Sequence, residues 1–165
     1  MDLLPPAIGF VPYDELLVSY YLANKNNEEV QNFNGSDPIK ELNLYQYDLF
    51  ELHLAQSFFF PHTREFYCFT AKTDEPRRHC KTGLWMQKGA VGDITAATDD
   101  VLVGNKSLFV FYIGNSPQNA IKTSWTMYEY TFANNPQIYH LGKLTFSMFI
   151  NINNCAGSFC YLSCF

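Results

Sequence analysis

In the first part of the chain, apolar residues recur at helical spacing. Within YDELLVSYYLANK, residues 13–25, the side chains of Leu16, Leu17, Tyr20, Tyr21 and Ala23 fall mostly on one side of a 3.6-residue turn. The pattern predicts one substantial helix, with Asp14 placed to cap its first turn. A polar stretch, NKNNEEVQNFNGSDP, follows and closes on Asp37 and Pro38, which predicts the start of a short helix over IKEL, residues 39–42. From about Glu65 the period changes. EFYCFTAK, KSLFVFYIG, TSWTMYEYTF and KLTFSMFINI are short, aromatic and β-branched, alternate in part, and are separated by clusters of Asn, Gly, Asp and Pro. A helix followed by four to seven strands predicts an α+β fold with the helix packed against a sheet. Residues 1–150 read as a single domain, and residues 151–165 have no clear period and receive no assignment.

Composition supports one core and narrows the partners. The chain has 165 residues, which fits one domain, and its 15 Phe, 11 Tyr and 2 Trp favour strands, where rings pack well on a pleated surface. Net charge is −5, so a polyanion partner can be argued only from a local patch. The opening MDLLPPAIGF has no basic n-region and is broken by two prolines, which predicts no secretory leader. No run of about 18 apolar residues predicts a membrane span or a membrane partner. The five cysteines, Cys68, Cys80, Cys155, Cys160 and Cys164, read as reduced thiols. His79 next to Cys80 has no second ligand pair at metal-binding spacing, so no metal site is expected.

Catalytic chemistry finds no support. His53, His62, His79 and His140 are scattered outside any nucleophile motif, and no phosphate-binding, dinucleotide-binding or zinc-protease signature occurs. The adjacent acids Glu28–Glu29 and Asp99–Asp100 read as solvated turns rather than catalytic pairs. The chain is therefore expected not to be an enzyme, and to need no cofactor and no small-molecule substrate.

Four ordered blocks carry more information: LPPAIGFVPYDELLVSYYL (4–22), IKELNLYQYDLFEL (39–52), REFYCFTAK (64–72) and VGNKSLFVFYIGNSPQNAIKTSWTMYEY (103–130). Together they resemble the NAC domain of plant transcription factors. The last block is the most specific, with Gly104, Lys106, Gly114, Pro117, Lys122, Trp125 and Glu129 among the residues it keeps. The resemblance implies a twisted antiparallel β-sheet flanked by a few short helices, the NAC-domain fold. It also implies nuclear localisation, double-stranded DNA as partner, and a strand pushed into the major groove. That strand in the family reads Gly-Tyr-Trp-Lys-Ala-Thr-Gly, and GLWMQKG (83–89) aligns with it.

In that alignment Met86 takes the place of the family lysine and Lys88 supplies a charge two residues on. A shift of two keeps the face of a strand, about 6 to 7 Å further along. Trp85 falls on the other face and is expected in the core. The resemblance implies DNA contacts from Lys72, Arg77, Arg78, Lys81, Lys88, Lys106 and Lys122, with Arg78 foremost because its distance before the Gly-x-Trp matches a family arginine. The basic surface is thinned, since Ser107, Asn115 and Gln118 stand at positions that are commonly lysine in the family or belong to a Lys-rich loop.

The resemblance further implies homo- or heterodimers with NAC-family proteins, through Leu4, Pro5, Pro6, Phe10 and Glu15. The reciprocal Arg–Glu pair of the family is missing, because Gly9 and Leu16 occupy its positions. Two functions are therefore expected from the sequence: a DNA-binding domain that regulates transcription, or a degenerate NAC-like protein that binds DNA weakly or not at all and acts by dimerising with family members.

Overall fold

A computed structural model describes residues 10–27, 39–47, 49, 51, 59–60, 65–73, 77–133 and 139–146. Leu4, Pro5, Pro6, the acids Glu28–Glu29, the tail at 151–165 and the three C-terminal cysteines lie outside the described residues. The N-terminal helix, α1, passes without a break from Asp14–Leu16 through a π-helical Leu17–Leu22 to Ala23–Asn26. The strands that follow are β1 (Lys40–Glu41), β2 (Phe59–Phe60), β3 (Glu65–Ala71), β4 (Arg77–His79), β5 (Gly83–Thr95), β6 (Leu102–Ile113), β7 (Ile121–Phe132) and β8 (Tyr139–Phe146). They form one sheet in the order β1-β3-β8-β7-β6-β5-β4, with β2 sharing the outer edge of β3. All pairings are antiparallel except β1 with β3, so the sheet is mixed by one short parallel contact.

That contact corrects the expected helix at 39–42. Lys40 and Glu41 pair with Cys68 and Phe69, and the Leu42 N–H donates to the Phe69 carbonyl at 2.8 Å. One turn of helix fixes several dihedrals for a single hydrogen bond. Laying the same residues on the bare edge of β3 satisfies strand groups that would otherwise lack partners.

The helix is present, but its buried face differs from the expected one. Leu17, Val18 and Leu22 are fully buried, whereas Tyr20 is exposed. The i→i+5 winding of a π-helix brings residues five apart onto one side, so Leu17 and Leu22 replace the pair expected from a 3.6 period. Asp14 does not cap its own helix. Its carboxylate accepts from Lys106 Nζ and from the Tyr130 hydroxyl, each at 2.8 Å, and so fastens the first turn to β6 and β7. At the other end Asn26 donates to the Tyr139 carbonyl and accepts from the Tyr139 N–H, which fastens the last turn to β8.

Each face of the sheet has its own core, as the period-two alternation requires. Phe66, Cys68, Trp85, Phe109, Phe111, Met127 and Leu144 fill one face, under the 3-10 turn Leu44–Gln46. Tyr67, Phe69, Tyr130 and Leu141 fill the other, against α1. Burial pushes the Cys68 thiol up to about 12, because its thiolate would be charged inside the apolar layer. In the loop between β5 and β6, Asp99 accepts from the Val101 N–H, and both Asp99 and Asp100 are exposed, as read from the sequence.

Helix and sheet meet closely at Gly104. A Cβ there would lie 2.5 Å from the Thr131 carbonyl oxygen and 2.9 Å from Val18 Cγ1. Gly104→Ala is expected to destabilise the protein by roughly 1–3 kcal/mol, the usual cost of overpacking a close contact. Urea unfolding measures this. An unchanged midpoint would mean that α1 is not seated on β6 as described.

Candidate nucleic-acid interface

The outer strands of the sheet bring most of the expected basic residues together and then divide them between two faces. In β5, Trp85 pairs with Arg78 of β4 and with Phe111 of β6, and it is fully buried. Directly paired residues in an antiparallel ladder project to the same face. Arg78 therefore points with Trp85 into the core face, and Leu84, Met86 and Lys88 point the other way.

Arg78 is 5% exposed. Nη2 donates to Glu129 Oε1 at 2.9 Å and to the Thr73 carbonyl at 3.0 Å, and Nη1 donates to the Tyr45 hydroxyl at 2.6 Å and to Glu129 Oε2. The guanidinium also lies over the Phe109 ring, 4.3 Å from its centroid. Arg78, expected foremost among the DNA contacts, is thus placed in the core face and paired inside the chain. A planar five-donor group is already occupied by a bidentate carboxylate inside the protein, which leaves it few donors for a phosphate. Distance along the sequence located the right arginine but could not tell its face. Its pairing with Trp85, a residue expected in the core, is the signal that could have done so.

Glu129 is the other half of the pair. Burial alone would raise its carboxyl, but His140 and Arg78 outweigh that and hold it below the usual carboxylate range. His140 Nδ1 lies 3.2 Å from Glu129 Oε1, in ion-pair range but off the direction of a hydrogen bond. Lys72, at the end of β3, lines a recess of about 210 Å³ on this side of the sheet with Arg78, Gln87, Glu129 and His140. It thus stands away from the face of Lys88.

Two further expected contacts are engaged inside the chain. Lys106 is held by Asp14 and lies over the Tyr128 ring at 4.4 Å, so it anchors α1 to the sheet. Lys81 pairs with Glu51 at 3.0 Å in an exposed bridge, a contact of little energetic weight.

Arg77, Lys88 and Lys122 remain. All three are exposed, and none has an ion pair among the described residues. They also share a face. Arg77 pairs with Met86, Lys122 pairs with Tyr112, Tyr112 pairs with Leu84, and Lys88 Nζ lies 4.8 Å from the centre of the Tyr112 ring. The expectation that Lys88 would follow the face of position 86 agrees with this geometry. The ladder breaks around it: the register shifts between Gln87 and Ala90, and Gly89 has φ 116, a left-handed conformation that suits glycine. The regular run of β5 ends at Gln87, and Lys88 lies at the start of the bulge.

Of the expected dimer residues, Phe10 packs edge-on against Tyr21 and Tyr67 of its own chain, with ring centroids 5.5 and 5.1 Å apart, and Glu15 is half-buried at the start of α1. Val11, Tyr13 and Tyr20 stand exposed around them.

The family model for the No apical meristem (NAM) protein matches residues 5–132, most of the chain. The chain belongs to this family. NAC domain-containing protein 2 of Solanum lycopersicum is 35% identical over 133 residues, covering 77% of this chain and 45% of that protein. NAC transcription factor 56 of Arabidopsis thaliana is 32% identical over 143 residues, 80% of this chain and 36% of that protein. Protein ATAF2 of Arabidopsis thaliana is 33% identical over 138 residues, with 79% and 45% covered. The chain spans about half the length of the curated relatives it matches. The twisted sheet with its short helical segments is the fold expected of a NAC-family chain.

Within this NAC-family fold, removing one partner of a buried pair strands the other charge. Arg78→Met is expected to destabilise by roughly 3–5 kcal/mol, and the double variant Arg78→Met/Glu129→Leu to recover much of that loss. Because the folded-state value of Glu129 is depressed, its contribution is present above its ordinary value of 4.5 and is lost as pH falls through the folded-state value. Glu129→Gln should therefore reduce stability at neutral pH and flatten the acid limb of a stability–pH curve. Chemical denaturation across that range checks both. An acid limb identical to that of the parent protein would contradict the assignment.

Proposed function

We propose that this chain is a DNA-binding domain that regulates transcription in the nucleus, and that it docks on duplex DNA through the β4–β5 edge of its sheet. The observation that carries this reading is the grouping of Arg77, Lys88 and Lys122, the exposed basic side chains without an ion pair among the described residues, on one face. A chain of net charge −5 gains affinity for a polyanion only where its cations are concentrated and unspent. A two-stranded ribbon is also narrow enough for the major groove. The name of the Arabidopsis relative, a NAC transcription factor, supports the same reading. Contacts from Lys72 and Lys81 belong at the margin of the surface. Arg78 and Lys106 act by holding the sheet and helix in place. No catalytic step, cofactor or metal enters the proposal. Pairing with a second NAC-family chain would use the exposed Val11, Tyr13 and Tyr20 beside Phe10 and Glu15.

A second reading, in which DNA binding is weak and the chain acts through dimerisation, draws on the internal neutralisation of Arg78, Lys81 and Lys106. Fluorescence anisotropy with NAC-type duplexes over a series of salt concentrations separates the two. Binding should weaken linearly on a log–log plot, and Arg77→Ala, Lys88→Ala and Lys122→Ala should each reduce the slope by about 0.9. A folded protein that shows no salt-dependent binding at low salt would sink the first reading. A dimer by light scattering under those conditions would then leave the second.

A further inference from the structure

Met86 occupies the middle of the cationic face. It pairs with Arg77 on one side and with Val110 on the other, and it lies between Leu84 and Lys88 along β5. Leu84 and Val110 are buried, whereas Met86 is half-buried and its neighbours Arg77 and Lys88 are exposed. The surface thus presents an apolar, unbranched side chain framed by two positive charges, on the strand next to the edge strand β4. β4 covers β5 only over Leu84–Met86, so this is where the two-stranded ribbon is complete.

We infer that Met86 reads the C5-methyl group of a thymine in the major groove, and that this contact sets part of the site preference of the chain. The inference rests on the groove-docking reading above. Its chemistry follows from what each base offers there. Guanine shows two acceptors, adenine an acceptor and a donor, cytosine a donor, and thymine an acceptor with a methyl group. A thioether has no N–H or O–H to give and accepts only weakly, so it gains nothing specific from guanine, adenine or cytosine. Against a methyl group it gains dispersion and apolar burial, and its three rotatable bonds let it follow the surface of the base. Arg77 and Lys88, on either side, can hold phosphates while the residue between them reaches the base edge, the usual division between positioning and reading.

The test begins with duplexes selected by the intact chain from a randomised pool. The preferred site is then remade with each thymine replaced in turn by deoxyuridine, which removes the methyl group and nothing else. One substitution is expected to weaken binding about fourfold, the worth of one buried methyl group. The same replacement should have no effect on Met86→Ala, and Met86→Leu should restore the sensitivity. Met86→Lys should move the preference at that base pair towards guanine, whose O6 and N7 a lysine can reach. Equal binding of thymine and deoxyuridine sites by the parent protein would overturn the inference alone. So would a methyl effect that persists undiminished in Met86→Ala. Failure to bind any duplex at low salt would overturn it together with the reading beneath it.

Discussion

Arg78 and Glu129 meet on the core face of the sheet, one from the short strand β4 and the other from the long strand β7. β4 is only three residues long and makes three ladder pairings, with Leu84, Trp85 and Met86. A strand that short at an edge would fray if ladder bonds alone held it. The guanidinium reaches under β5 and β6 to a carboxylate on the next strand, with Tyr45 and the Thr73 carbonyl taking up further donors. A buried pair of this kind adds little net stability over an apolar substitute, because desolvation offsets most of the attraction. What it adds is position. It fixes where β4 sits, and with it the exposed Arg77 one residue away.

The same sheet separates its charges by the parity of its strands. Odd-numbered positions of β4–β5 and even-numbered ones project to opposite faces in paired combinations, so adjacent arginines meet different fates. Arg78 is spent inside and Arg77 is left outside. Lys106 and Asp14 do on the α1 side what Arg78 and Glu129 do on the other. In both cases a cation from the list of possible DNA contacts is consumed in joining elements. Among the described residues, the exposed cations without an ion pair lie at the β4–β5 edge and the adjoining end of β7.

The strands and the buried tryptophan could be read in the sequence because period-two alternation and aromatic content are local properties. The helix could be read for the same reason, and its buried side could not, since a 3.6-residue period does not hold where Leu17–Leu22 winds as a π-helix. IKEL failed for another reason. The edge of β3 that captures Lys40 and Glu41 lies almost thirty residues away, and nothing within IKEL signals it. At the site, family resemblance found the basic segment but ranked its members by spacing alone. Telling which of them are exposed required the partner of each residue across the ladder, and that is information about Glu129 and Trp85, not about Arg78.

Substituting methionine for a lysine on such a face has consequences beyond the loss of one charge. With few unspent cations among the described residues, their salt-dependent contribution to any DNA affinity is limited, because each phosphate neutralised contributes one increment of counterion release. Discrimination between sites then falls more heavily on short-range contacts that do not weaken with salt. On the proposed docking, an apolar side chain between Arg77 and Lys88 suits that role, since its contact with a base would survive at ionic strengths where the two cations contribute least. The displacement of charge from position 86 to position 88 would then separate two tasks that a single lysine would combine, with Lys88 holding the backbone and Met86 free to meet the base.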